Sequence, residues 1–321
     1  MKRHLLSFAV FLLLFCLASS PALAEDIVQL EYEINDDGVT ITACESDVVG
    51  EFIVPAEIKG LPVTKIGGHA FSGCEDISSI VLPESVSHVG NYAFYGCSSL
   101  KSVNLPDDPA AYGEGLFLGC SALESITLPK DMTSISPNMF SGCTSLRRIT
   151  LPSGIRSIGD NAFYGCSSLR FIVLPTGLET IGEYAFANCE DMFFVRMPKE
   201  LVNLGEGCFM GCKALRLISL PESLSLLPER CFSGCEALEH ITIPLGMIEL
   251  KDEAFAECYA LSEIKFEHSA GDFLMIGKNA FMLQATLETE IVCPDAEKPN
   301  PALQDYPWEW SGRIIEYRNI K

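Results

Sequence analysis

The chain has 321 residues, with 43 acidic against 22 basic side chains and a net charge of −21. That balance disfavours nucleic acid and anionic lipid as general partners and keeps an exported chain soluble. The length would suit two ordinary domains, but one internal repeat occupies most of it, so a single elongated domain is expected.

The chain opens on Lys2-Arg3-His4, an apolar run from Leu5 to Ala18 and Pro21-Ala22-Leu23-Ala24. This is the charged, apolar and small-residue order of a secretory signal peptide over residues 1–24, with cleavage after Ala24 and a secreted or cell-surface protein as the outcome. The apolar run is short for a membrane span, and an uncleaved anchor is the alternative reading. No later stretch is apolar for long enough to cross a bilayer, so no transmembrane span is expected after signal removal. Phe15 before Cys16 fits a lipoprotein cleavage site poorly, and the chain shows no cell-wall sorting pentapeptide.

Residues 25–60 are strongly acidic and read as an N-terminal cap. Apolar residues alternate in Tyr32-Glu33-Ile34 and Val39-Thr40-Ile41 on either side of Asp37-Gly38, the signature of a β-hairpin. Phe52-Ile53-Val54-Pro55 then imitates the strand end of the repeats that follow.

The solenoid is expected over residues 61–281. Its organising tetrapeptide is F-x-G-C, first at Phe71-Ser72-Gly73-Cys74. The phenylalanine returns every 23 residues at Phe94, Phe117, Phe140, Phe163, Phe186, Phe209, Phe232 and Phe255, and 26 residues later at Phe281. A period of this length marks units that bury their apolar face only against neighbouring units. Each coil carries a strand L-x-x-I-x-L-P, such as Leu169 to Pro175, with a β-branched residue at the inward position. Proline, lacking a donor, closes eight of nine strands, from Pro83 to Pro244. Parallel coils about 4.8 Å apart would put nine of them over roughly 40 Å. On the return, Ala70, Ala93, Ala162, Ala185 and Ala254 suggest a slot for small side chains, phenylalanine fills the interior, and glycine ends a short helical turn in a left-handed conformation. The nine cysteines from Cys74 to Cys258 are expected as a buried, unpaired ladder, because neighbouring Cα–Cβ vectors run side by side. Cys44 and Cys293 fall in opposite caps, too far apart to pair.

The F-x-G-C unit, the L-P strand ends and the 23-residue period resemble the BspA-like class of leucine-rich repeats over about Leu61 to Ala280. That resemblance implies an α/β repeat solenoid, a right-handed coil with one long parallel β-sheet face, in secreted or surface proteins often described as adhesins or binders of host proteins. It transfers no functional residues, since the motif residues are the core.

Past Phe266 the pattern decays. Ile291-Val292-Cys293-Pro294 imitates a last strand end, and residues 282–321, with both tryptophans at Trp308 and Trp310, read as a non-repeat C-terminal cap. Stacking on sugar rings is the alternative use of those tryptophans.

Catalytic chemistry is thinly represented. His69, His88, His240 and His268 form no metal-protease pair, and neither a G-x-S-x-G elbow nor a phosphate-binding loop occurs. Cys208, Cys212, Cys231 and Cys235 have the spacing of a zinc site, yet Cys212 and Cys235 are ladder positions and Cys208 and Cys231 occupy the alanine slot. The expected protein is therefore not an enzyme and has neither cofactor nor metal. It reads as a recognition module; the alternatives are a structural coat protein without a specific ligand, or a thiol-based metal protein or enzyme.

The expected binding surface is the outward strand face of the fourth to seventh coils. Its residues are Arg147, Arg148, Arg170, Phe171, Phe193, Phe194, Arg196, Arg216 and Leu217. Stacked arginines repel and exposed rings cost hydration, so folding alone gives little reason to gather them. Together they suit an acidic protein segment or an anionic glycan, with self-association as the second possibility.

Overall fold

The computed structural model describes residues 29–107, 111–267, 275–281, 290–293 and 317–319. The signal-like segment, His268, Trp308, Trp310 and most of the expected C-terminal cap lie outside them.

The repeats wind into a coil with two parallel ladders. The front ladder holds the L-x-x-I strands: Gly50–Ile53, Ile77–Val81 and Ser102–Val103, then Phe171–Val173, Phe194–Arg196 and Leu217–Ser219, then His240–Ile243, Glu263–Phe266, Glu290–Cys293 and Tyr317–Asn319. The second ladder stacks the residues before each I-G pair, as in Ser134–Ile135, Ser157–Ile158, Thr180–Ile181 and Asn203–Leu204. Partners one coil apart are in strict register, for example Ile172 with Val195 and Ile158 with Ile181.

The hairpin forms from Leu30–Asn35 and Gly38–Cys44, with its turn one residue earlier than expected, at Asp36-Asp37, and Gly38 (φ 125°) opposite Asn35; its second strand runs parallel to Leu61–Ile66 at the start of the second ladder. The strand-like ends also take their places, with Phe52 opposite Ile80 and Ile264 opposite Ile291.

Three expectations need correction. The described residues contain no α-helix, so the α/β class gives way to an all-β solenoid whose return arc is a chain of turns. The cause is the alternation of hydrogen bonds along the arc. Asn161, Phe163 and Gly165 donate their N–H groups to Glu183, Ala185 and Ala187 of the next coil, while Tyr164 and Cys166 donate three residues back within their own coil. Half the donors a helix would need are thus committed between coils. Two left-handed residues per coil, here Asn161 (φ 54°) and Gly165 (φ 68°), reinforce this, because a right-handed helix admits neither.

The slot before the phenylalanine is also not reserved for small side chains. Leu116 and Met139 occupy it fully buried, so it is an ordinary inward position.

Finally, one long sheet is too simple a description: two ladders run along the coil, and each is broken. The second ladder stops between Ala111–Tyr112 and Ser134–Ile135 and again between Asn203–Leu204 and Leu226–Leu227, where Pro228 replaces the residue whose N–H elsewhere bonds the preceding coil, as Gly205 does to Ile181. The front ladder stops after Leu217–Ser219 and, nearer its N-terminal end, after Ser102–Val103. There the Asn104 amide binds both the N–H and the carbonyl of Leu82, taking the place of a backbone partner.

The core is a column of rings. From Phe71 to Phe281, successive centroids lie 5.2 to 5.7 Å apart, and all pairs beyond Phe94 are within 16° of parallel. Phe52 closes the N-terminal end edge-on against Phe71, at 5.8 Å and 64°. Beside the column, Cys97 donates its S–H to the Phe71 carbonyl at 3.0 Å, a bond repeated in every coil to Cys258 and Phe232 at 3.2 Å. Since each such carbonyl also accepts its own coil's cysteine N–H, the buried polar groups are satisfied without water.

Candidate functional site

The outward positions of the front face are set by the pleat, because neighbours of an inward isoleucine point the other way. Register then sorts the candidate residues into rows. Phe171, Phe194 and Leu217 face one another across coils five to seven, and Val173, Arg196 and Ser219 form a parallel row. A third row, Arg170, Phe193 and Arg216, lies one residue before the strands, tied by N–H bonds from Phe193 to Arg170 and from Arg216 to Phe193. Arg147 and Arg148 belong to the fourth coil, which joins the sheet only through a bridge between Thr150 and Val173.

All nine candidate residues are exposed, the rings substantially so: Phe171 at 47%, Phe193 at 49% and Phe194 at 41%. The alternative that the arginines pair with acids on adjacent returns is not what the structure shows. Among the described residues, Arg147, Arg148, Arg170, Arg196 and Arg216 make no ion pair, whereas Lys65, Lys199, Lys213, Arg230 and Lys251 all do. Arg230 alone gathers Glu206, Glu229 and Glu253 on the return side.

Sequence reasoning missed what adjoins this patch. Where the front ladder is interrupted, a groove of about 920 Å³ opens along the first to fourth coils and shares Arg148 with the patch. Ser79, Ser102, Ser125 and Thr127 line it, and half-buried Val103 and Ile126 form its floor. The available signal was a run of small hydroxyl side chains at outward positions, which leaves room above the sheet.

The cysteines offer no comparable site. Cys208 and Cys231 are fully buried in the slot before the phenylalanine, and burial pushes both thiols well above their ordinary range. Cys97, Cys212 and Cys258 are each pushed up to about 12, again by burial first. Thiols held neutral in this way are poor nucleophiles and poor metal ligands.

A coil of 23-residue units, with an inward leucine and isoleucine strand and laddered returns, defines a leucine-rich-repeat solenoid. The BspA type leucine rich repeat region matches residues 64–193 and 191–297 in six copies, and the chain belongs to that family. It is a repeat family, and no enzymatic family is indicated.

Among solved structures, the Treponema pallidum leucine-rich-repeat protein is 25% identical, with 73% of this chain and 88% of that one covered and a TM-score of 0.39. A leucine-rich cell surface protein of Faecalibacterium prausnitzii is 25% identical over 80% and 94% of the two chains, with a TM-score of 0.40. A Bacteroides ovatus leucine-rich-repeat protein is 21% identical over 91% and 98%, with a TM-score of 0.47. No curated protein matches the chain.

Proposed function

We propose that this protein is a non-catalytic recognition module, exported through residues 1–24, and that the front face of coils four to seven is its binding surface. One observation carries the reading: five exposed arginines without an ion-pair partner among the described residues stand between exposed phenylalanines on a chain of net charge −21. Arginine grips carboxylate or sulfate in a bidentate way, and aromatic rings supply contact area at low entropic cost. An acidic protein segment and an anionic glycan both suit this surface, since the rings can cover apolar side chains or stack on sugars.

A second copy of the chain is the other reading. It is favoured by the exposed carboxylates of Asp160, Glu183 and Asp252, which stand at one recurring position of the coils, the intervening Glu206 and Glu229 being held by Arg230. The test is a pull-down from surface-protein and glycan extracts, followed by affinity measurement with an Arg148→Ala, Phe171→Ala, Phe194→Ala, Arg196→Ala variant. Binding should fall at least tenfold while the melting temperature stays close to the parent's. Sedimentation of the parent alone reports on self-association. Unchanged binding by the folded variant would remove the patch from the function.

A further inference from the structure

The cysteine ladder has one irregular end. Eight thiols, from Cys97 to Cys258, each reach the phenylalanine carbonyl 26 residues earlier, at 3.0 to 3.3 Å. Cys74 has no such carbonyl, because the coil before it is replaced by the hairpin. Its Sγ lies instead 4.0 Å from the carbonyl oxygen of Cys44 and 3.8 Å from that of Glu45. That places Cys44 and Cys74 side by side at the seam between the hairpin and the first coil. Cys44 ends the strand Gly38–Cys44 and is half-buried, unlike the fully buried cysteines from Cys74 to Cys258.

We propose that Cys44 and Cys74 are a disulfide-forming pair that locks the N-terminal hairpin to the first coil when the chain meets a disulfide donor, such as oxidised glutathione or an exported thiol–disulfide oxidoreductase. Cys74 Sγ already lies against the Cys44 backbone, and side-chain rotation is the change that the roughly 2.05 Å of an S–S bond requires. The remaining ladder cysteines differ in kind, since each S–H is committed to a carbonyl in its own groove.

The exchange proceeds in two steps. Cys44, the more accessible sulfur, attacks the donor disulfide as it gives up its proton; an S–S bond forms to one donor sulfur and the other leaves as a thiol carrying the proton that Cys44 lost. Cys74 then attacks the Cys44 sulfur of that mixed disulfide, expelling the second donor thiol with the second proton. Two protein thiols are oxidised and one donor disulfide is reduced to two thiols.

The test uses the full chain, purified under reducing conditions and then incubated with oxidised glutathione. Free thiols are alkylated in denaturant and the digest is read by mass spectrometry. The expected product is one cross-linked peptide pair joining Cys44 to Cys74, with Cys97 to Cys258 alkylated. Oxidation should also slow proteolysis within residues 29–60 severalfold, an effect absent in Cys44→Ser. Separate alkylation of both cysteines, a persistent glutathione adduct on Cys44, or a Cys74 bond to another cysteine would each overturn the assignment. A cross-link that leaves proteolysis unchanged would overturn the locking role.

Discussion

Phe163 sits at the middle of the ring column, fully buried, 5.3 Å from Phe140 and 5.2 Å from Phe186, and only 2° from parallel with the latter. Phe163→Ala removes a complete ring from a site whose walls are other coils. Those walls cannot close in, because the coil spacing is fixed by backbone bonds such as Phe140 N–H to the Ala162 carbonyl and Phe163 N–H to the Ala185 carbonyl, both at 2.8 Å. Truncating a buried phenylalanine costs about 3 to 5 kcal/mol in general. Each lost ring pair is worth about 0.5 to 1.5 kcal/mol beyond its area, and here two are lost, which places this site near 4 to 5 kcal/mol. In a solenoid the damage falls on both flanking interfaces at once, so urea unfolding should shift to a lower midpoint and can split into two transitions as the halves uncouple. A single transition within about 1 kcal/mol of the parent would show that the rings are not the structural column described.

Two glycines of one coil separate two kinds of constraint. Gly207 (φ 56°) lies beneath the ring of Tyr184, whose Cε1 would be 2.3 Å from an added Cβ, whereas at Gly205 the obstruction is the backbone nitrogen of Glu183 at 2.2 Å. A ring can swing aside and a backbone cannot, so Gly207→Ala should cost about 1 to 3 kcal/mol and Gly205→Ala more, by urea denaturation of the two variants. Equal losses would contradict this. The buried thiols predict a pH dependence: Cys97, Cys212 and Cys258 have folded values raised from 9.0 to about 12, so their contribution is complete below pH 9.0 and is lost as pH rises toward 12. Under reductant the urea midpoint should fall above pH 9.0, at up to about 1.4 kcal/mol per pH unit for each fully titrating cysteine. A Cys→Ala change at these three positions should flatten the slope, and an unaltered slope would refute the cause.

The repeating core was legible because period, ring and thiol are identities that recur at fixed spacing. Phe94 and Phe232 announce the same environment, and the structure gives them the same one. The hairpin was equally plain from the apolar alternation on both sides of its acidic turn, although that turn falls one residue earlier, at Asp36-Asp37. Misreading the return arc as partly helical has a physical origin. Of its two left-handed positions, one is usually glycine, but the other is held by residues as different as His69, Tyr92, Asn138, Arg230 and Glu253, so no residue type marks it. The gap in the front ladder was hidden for a different reason. Ser125-Ile126-Thr127 has as good a strand pattern as Leu217-Ile218-Ser219, and pairing is withheld there beside an asparagine that has already taken over the bonds of Leu82. The patch was readable as a composition of outward positions, whereas the freedom of its arginines from ion pairs depends on where distant acids fall.

The alternating bonds of the return arc give the coil a direction. In each turn three N–H groups, such as those of Asn161, Phe163 and Gly165, look forward to carbonyls that the next turn supplies. A chain cut between coils therefore ends on three unmet donors at one face and three unmet acceptors at the other, whichever coil is chosen. These cut faces are mutually complementary and identically spaced, because every turn repeats the same donors and acceptors. The same complementarity allows a whole 23-residue unit to be added or removed inside the array without leaving a mismatched seam.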